Sequence, residues 1–418
     1  MPMSRSSDDS DARVLCATHR DSPPRPTLDV LVERARALQP SLREAAEEAE
    51  KSRRVSAEIM RRAVSAGLAN LMKPARFGGY EYGPSALIRI AYELAQGCGS
   101  TAWAVMIANV DNWFASYWPL EVQQDIWGTN PDNLIAGLGV PTGSCERAEG
   151  GFQIKGRWPW ASNCENSAWA FVSALLPEAD GTAGGVGWFM VPLSQLAIDQ
   201  DSWFVSGMQG TGSKTLYADA PIFVPAVRTI RFDDIATRRV PGCSVPANPM
   251  ANFAFSTFGA AGLLGPIIGM ARGALDCFVE ATKAKVRVSM RPGAPTPAGQ
   301  NPFVQERIGR AGAMIDAALT VALAELQAAE QQVFATGQLG IDERIRVRRT
   351  FGFCVRQAVD AVCLVTEMAG ASAADSRLPL QRFWRDINAA SRHVSFDVPG
   401  INTMSGQHTL GLPPVGAF

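Results

Sequence analysis

Histidine is scarce in this chain of 418 residues: there are three, His19, His393 and His408. An imidazole metal centre needs them clustered, so three scattered residues exclude a His-rich site, and no HExxH helix is present. Charge is scarce too. Asp, Glu, Lys and Arg make up 19% of the residues and nearly cancel, to −1. That balance asks for neither nucleic acid nor an anionic membrane surface. None of the eight cysteines forms a CxxC pair; in a chain this long they read as reduced thiols of a cytoplasmic protein. No uninterrupted apolar run reaches the roughly 18 residues of a membrane span. The longest apolar stretch, Phe253 to Met270, is broken by Gly259, Gly262, Gly265 and Pro266 and reads as a buried helix. The N-terminus lacks the apolar core of a signal peptide. Residues 1–27, rich in Ser, Asp and Pro, are expected to be a disordered tail.

Several motifs are also missing. Gly137-Leu138-Gly139-Val140-Pro141-Thr142-Gly143 has one residue too many for a dinucleotide fingerprint, and a proline where the helix should start. Gly207-Met208-Gln209-Gly210-Thr211-Gly212 has its glycines in the wrong order. Neither follows a strand and opens a helix, which the fingerprint requires. A P-loop is absent, as is the GxSxG elbow of a Ser-His-Asp hydrolase.

What is present is a hydrophobic content of 47%, enough for a large core. From Leu28 to about Trp127 apolar residues recur at helical spacing, with Ser56 placed as an N-cap before Ile59, Met60 and Val64. From about Asn133 to Arg231, short β-branched and aromatic runs alternate with turn residues, which predicts an antiparallel β domain. Helical spacing then returns. It predicts one helix over Ala251 to Val286 kinked near Pro266, then Pro302 to Thr336, Asp342 to Ala369, and Arg382 to about Val394. The fold class is α+β: an N-terminal helical domain over 28–132, a central β domain over 133–245, and a C-terminal four-helix bundle over 246–418.

Trp158-Pro159-Trp160-Ala161-Ser162-Asn163-Cys164 resembles the WxWxSGC strand of the flavin-dependent monooxygenases that share the acyl-CoA dehydrogenase fold. Its members include the oxygenase components of 4-hydroxyphenylacetate 3-hydroxylase and of secosteroid phenol hydroxylase. Further segments agree in order: Cys98 to Trp103, Gly207 to Ser213 with Phe223-Val224-Pro225, Gln381 to Asp386, Arg392-His393-Val394 with Asp397, and Gly411 to Pro414. Asn163 departs from the family's usual Gly, which is expected to change the strand turn. The resemblance implies an acyl-CoA dehydrogenase-like fold and a two-component enzyme. Reduced FMN or FAD would come from a separate NAD(P)H-dependent reductase. It would react with O2 to a C4a-hydroperoxide and put one oxygen atom on an aromatic substrate of phenol or indole type. A homotetramer is also implied.

Such a site needs a hydrogen-bond partner for flavin N5, apolar walls and a group that manages the substrate's proton. By resemblance Ser162 is the N5 partner, as a donor; an ordinary strand serine is the alternative. His393 is the candidate to take the substrate proton or stabilise the hydroperoxide. Asp397, four residues on, would share its helix face and orient the ring. Trp103, Gly137, Trp160, Ala161 and Val394 are candidate flavin neighbours. Arg287, with Lys285, matches a basic position that meets flavin phosphate, and Ala371 and Ser372 match a loop that meets the neighbouring subunit's flavin. Trp113, Phe114 and Trp118 could wall the substrate pocket, although aromatic residues at helical spacing are more often plain core. Arg382 and Arg385 are expected to make structural ion pairs. Within the resemblance an N- or S-oxygenating variant stays open. Further off are an acyl-CoA dehydrogenase, which wants a carboxylate base where His393 stands, and a non-catalytic assembly protein.

Overall fold

A computed structural model of the chain describes residues 25–177, 183–287 and 296–418, without the side chains of Ala183, Ala236 and Arg287. Nearly all of the segment expected to be a disordered tail lies outside the described residues. Helix α1 (Leu28–Ser52) opens on Thr27, whose hydroxyl accepts from the Val30 N–H. It closes on Arg53 in the left-handed region. Ser56 caps α2 (Ala57–Ser65) as its position before an apolar run predicts, accepting from the Ile59 N–H at 3.3 Å. α3 (Pro84–Ala95), α4 (Gly99–Ala115) and α5 (Leu120–Trp127) complete the N-terminal helices. All but one residue of α4 is buried, so it runs through the core rather than over it.

The middle of the chain forms two four-stranded sheets. One has the order β1 (Ile135–Gly137), β4 (Trp169–Pro177), β5 (Ala183–Pro192), β8 (Thr229–Arg231). The other has β2 (Ser144–Ala148), β3 (Gly151–Ala161), β7 (Lys214–Pro225), β6 (Ala197–Asp199). Every pairing is antiparallel except β1 with β4. Ile154, Trp158, Val172, Phe189 and Leu216 fill a core of their own, as inward-facing residues of packed sheets do.

The C-terminal helices are α6 (Phe232–Ala236), α7 (Phe255–Phe258), α8 (Ala261–Ala284), α9 (Pro302–Thr336), α10 (Ile341–Ala369), α11 (Pro379–Ala390) and α12 (Val398–Thr409). α10 packs on α8 and α9, and α8 also meets α3, α4 and α11. Two expectations change here. The helix expected over Ala251 to Val286 breaks at Gly259 and Ala260, not at Pro266, which sits inside α8. α8 presses so closely on its neighbours that a Cβ on Gly265 would lie 2.6 Å from the Ala91 Cβ. The last predicted helix ends at Ala390, which moves His393 off it. Two helical segments, Phe255–Ala284 and Pro302–Thr336, are long and apolar enough to cross a membrane; the first is buried inside the protein and the second is largely uncovered.

Candidate flavin and oxygen site

The site begins with a bulge. β3 pairs with β7, but the register slips between Trp158 and Ala161. Trp160 takes a φ of 75°, in a region a bulky residue rarely adopts. The Ser162 N–H donates to the Trp160 carbonyl at 2.9 Å, closing the bend. The bulge turns Trp160 outward, 63% exposed and edge-on to Trp203 at 5.2 Å, and leaves Ala161 and Ser162 buried. Asn163 follows with φ 60°. It therefore holds the left-handed conformation that a glycine would hold, and Asn is among the few side chains that tolerate it.

Ser162 meets the segment Gly207 to Ser213. Its Oγ lies 2.7 Å from the Ser213 Oγ, which lies 2.8 Å from the Thr211 Oγ1. Thr211 Oγ1 donates to the Met208 carbonyl at 2.9 Å. The Asn163 N–H donates to the Thr211 carbonyl at 2.9 Å, tying both segments together. Met208 has φ 58°, and its N–H donates to Asp386 Oδ1 at 2.5 Å. Burial pushes the Asp386 carboxyl up to about 6, against the pull of that N–H. A Cβ on Gly207 would lie 2.2 Å from the Arg385 carbonyl oxygen, so the loop lies flat on α11. Arg382 and Arg385 are structural ion pairs, as expected. Glu50 of α1 pairs with Arg382 at 3.0 Å and with Arg385.

His393 forms the other corner. The chain leaves α11 at Ala390, and the His393 N–H donates to the Ala390 carbonyl at 3.1 Å. The imidazole then caps a short turn, its Nδ1 accepting from the Ser395 N–H at 3.2 Å. The proton of the neutral ring therefore sits on Nε2. The ring stands 5.7 Å from the Trp103 indole at 67°, and 6.4 Å from Phe396. Solvent reaches His393, yet the protein crowding its other sides lowers its pKa to about 4, with help from the Arg348 guanidinium. Arg348 donates to the Ser395 carbonyl at 2.7 Å and so holds the same turn.

Asp397 does not share a helix face with His393. Its Oδ1 accepts from the Gly400 N–H at 3.3 Å as the N-cap of α12. The expected pairing assumed an unbroken helix, and the two caps break it.

The two corners approach successive turns at the start of α4. Gly210 comes so close to Ser100 that a Cβ there would lie 3.0 Å from the Ser100 Cβ. Ser100 is one turn before Trp103, which carries His393. Ser162, through Ser213 and Thr211, and His393, through Trp103, thus border successive turns. Trp103, Ile107 and Asp111 continue along one face of α4. The Asp111 Oδ2 accepts from the Gly137 N–H at 2.8 Å, and burial holds its carboxyl well above the usual range. Nothing in the sequence pattern marked Asp111. At Gly137 the space a Cβ would fill is taken by Phe171 at 2.2 Å and Asp111 at 2.5 Å. Those two side chains account for the glycine.

The other candidates separate. Val394 is 82% exposed beside His393. Arg287 has its backbone in β9 (Val286–Arg287), paired with β10 (Thr296–Pro297), but its side chain lies outside the described residues. Lys285 and Ser372 come together: the ammonium donates to the Ala369 carbonyl and the Ser372 hydroxyl, each at 3.4 Å. They line a cavity of about 300 Å³ with Cys277, Val304 and Leu380, and Ala371 is exposed at its edge. Trp113, Phe114 and Trp118 belong to the hydrophobic core. All three are buried, with Trp113 donating to the Met250 carbonyl and Trp118 to the Arg228 carbonyl, both at 2.9 Å. Phe114 packs on Phe255 and Phe171. Their helical spacing reports core.

A buried hydroxyl, flanking indoles and an imidazole kept neutral suit the polar edge and flat faces of an isoalloxazine ring. The comparisons agree. Residues 29–118 match the acyl-CoA dehydrogenase N-terminal domain and residues 261–398 the acyl-CoA dehydrogenase C-terminal domain. The FADH2-dependent resorcinol hydroxylase oxygenase component of Rhizobium sp. is 33% identical, over 93% of this chain and 96% of its own length. The crystal structure of 3-HSA hydroxylase from Rhodococcus sp. RHA1 superposes with a TM-score of 0.86 at 30% identity, covering 94% of this chain and all of that one. XiaF from Streptomyces sp., solved with FADH2 and glycerol, superposes with a TM-score of 0.85 at 26% identity, covering 94% and 98%. Reduced flavin and O2 are its reagents, a separate reductase its supplier and an aromatic compound its substrate. By its sequence relatives and its fold, the chain belongs to the oxygenase components of the flavin-dependent monooxygenases built on the acyl-CoA dehydrogenase fold.

Proposed function

We propose that this chain hydroxylates the ring of a small phenol, with flavin reduced by an NAD(P)H-dependent reductase. The observation that carries this is that the loop tied to Ser162 and the His393 ring approach successive turns at the start of α4, at Ser100 and Trp103. The reduced flavin, when bound, supplies the activation of O2 that the protein cannot. Ser162 meets its N5 edge, and Trp103, Trp160, Ala161 and Val394 keep water from it. His393 is a hydrogen-bond donor here rather than a base: Nδ1 is engaged, and a pKa of about 4 makes the ring a weak proton acceptor. Its Nε2–H holds the substrate's phenolic oxygen as negative charge builds there. The Arg348 charge that disfavours an imidazolium favours that anion. Asp111, whose carboxyl burial holds well above its usual range, stands on the same face of α4 to receive a second polar group of the substrate. A dehydrogenase would need a carboxylate base at the corner that His393 occupies.

FAD is the preferred flavin in this reading, with Lys285, Arg287, Ala371 and Ser372 around its phosphates in a homotetramer. The largely uncovered apolar length of α9 supports such an assembly. A cytoplasmic location fits the free thiols among the described cysteines, and neither membrane nor nucleic acid is a partner. Reconstitution tests the reading: the chain, a flavin reductase, NADH, and a panel of phenols, indoles and organic sulfides. A hydroxylated phenol is the expected product; oxidation at sulfur alone would overturn it.

A further inference from the structure

We propose that Thr211 and Ser213 are positioning residues whose hydroxyls fix Ser162 as a hydrogen-bond acceptor, so that the site selects reduced over oxidised flavin. This rests on the reading above that Ser162 faces flavin N5.

Each hydroxyl has one proton. The Met208 carbonyl can only accept, so the contact of 2.9 Å to it uses the proton of Thr211. Thr211 Oγ1 is then left to accept at 2.8 Å, and Ser213 is the donor there. Ser213 in turn accepts at 2.7 Å, and Ser162 is the donor. All three O–H bonds run the same way, from Ser162 towards Met208. The proton of Ser162 points to Ser213, and a lone pair of its oxygen is left over. The three residues are 8%, 5% and 2% exposed for Ser162, Ser213 and Thr211, so bulk water does not scramble the order. The end of the chain is itself held. The Met208 carbonyl also accepts from the Thr211 N–H at 3.1 Å, and its own N–H is held by Asp386.

Reduced flavin carries a proton on N5, which that lone pair can accept. Oxidised flavin has a lone pair at N5 instead, and two lone pairs facing each other repel. To donate to oxidised N5, all three hydroxyls must turn over and the Met208 carbonyl must lose its hydroxyl partner. One buried hydrogen bond corresponds to a preference of about three- to tenfold. Ser162 thus acts as an acceptor, where resemblance alone suggested a donor.

The test compares dissociation constants of oxidised FMN and FAD, by flavin fluorescence, with those of the reduced forms, by anaerobic titration. It uses the whole chain and four variants. Thr211→Val removes the hydroxyl that orients the chain, and Ser213→Ala disconnects Ser162 from it. Each is expected to lower the oxidised-to-reduced ratio about three- to tenfold, while Thr211→Ser retains the wild-type ratio. An unchanged ratio in both Thr211→Val and Ser213→Ala overturns the proposal, and if either variant does not fold the other decides. Ser162→Ala separates the two readings. Loss of reduced-flavin affinity there, with an unchanged ratio in the other two variants, removes the relay alone. Unchanged affinity for both redox forms in Ser162→Ala removes the placement of Ser162 at N5 and the relay with it.

Discussion

The imidazole of His393 stands edge-on to the indole of Trp103, ring centres 5.7 Å apart. Trp103 is fixed by burial in α4, whereas His393 sits in a short turn held by its own Nδ1 and by Arg348. The indole is thus the wall against which a more loosely held imidazole is set.

His393→Ala is expected to keep reduced-flavin affinity within about threefold and to divert most reducing equivalents to hydrogen peroxide. His393→Gln, which keeps a donor, should recover part of the coupling. The ratio of product to NADH consumed measures both, and full coupling in the alanine variant would remove His393 from the chemistry.

The pH profile follows from its pKa of about 4. The ring stays neutral from pH 5 upward, so coupling should show no inflection near the ordinary imidazole value of about 6.5. Following the His393 ring signals by NMR against pH checks this. Titration near 6.5 would mean that the surrounding protein does not desolvate the ring.

Asp397 separates a cap from a catalytic carboxylate. Asn caps a helix as well as Asp does, so Asp397→Asn should leave coupling and melting temperature near wild type. Asp397→Ala should lose about 1 kcal/mol of stability in denaturant unfolding. A folded Asp397→Asn variant that uncouples would show that the carboxylate acts on His393 after all.

Glu330 sets a pH dependence of folding. It accepts from the Ser85 backbone and hydroxyl at the start of α3, and burial raises its pKa to about 7. A carboxyl raised in the folded state binds more protons there than in the unfolded chain. Stability therefore falls as pH rises from about 4.5 towards 7, by up to roughly 3 kcal/mol. Glu330→Gln should flatten that slope and be the more stable protein at pH 8. Equal slopes in urea unfolding across that range would contradict it.

The helices were legible because their apolar periodicity is long: the spacing places one over Pro302–Thr336, where α9 runs. The end of α11 at Ala390 was not legible: no Gly or Pro stands next to it, and the turns that follow open on caps at His393 and Asp397. Trp113, Phe114 and Trp118 show the limit of helical spacing, which is the same for a pocket wall and for core. Ser162 was found through the strand motif around it. Its partners Thr211 and Ser213 lie some fifty residues away in sequence, and only the register of β3 on β7 brings them together. Asp111 escaped because a lone carboxylate in an apolar helix carries no local signal until Gly137 is seen against it.

The distance from the Ser162 oxygen to N5 in a crystal structure of the chain soaked anaerobically with reduced FAD tests the account most directly. A value of about 2.7–3.2 Å, with the His393 ring bordering the same edge of the isoalloxazine, is predicted. A flavin bound with N5 turned away from Ser162, or with His393 on the far side of the protein from it, would contradict the account.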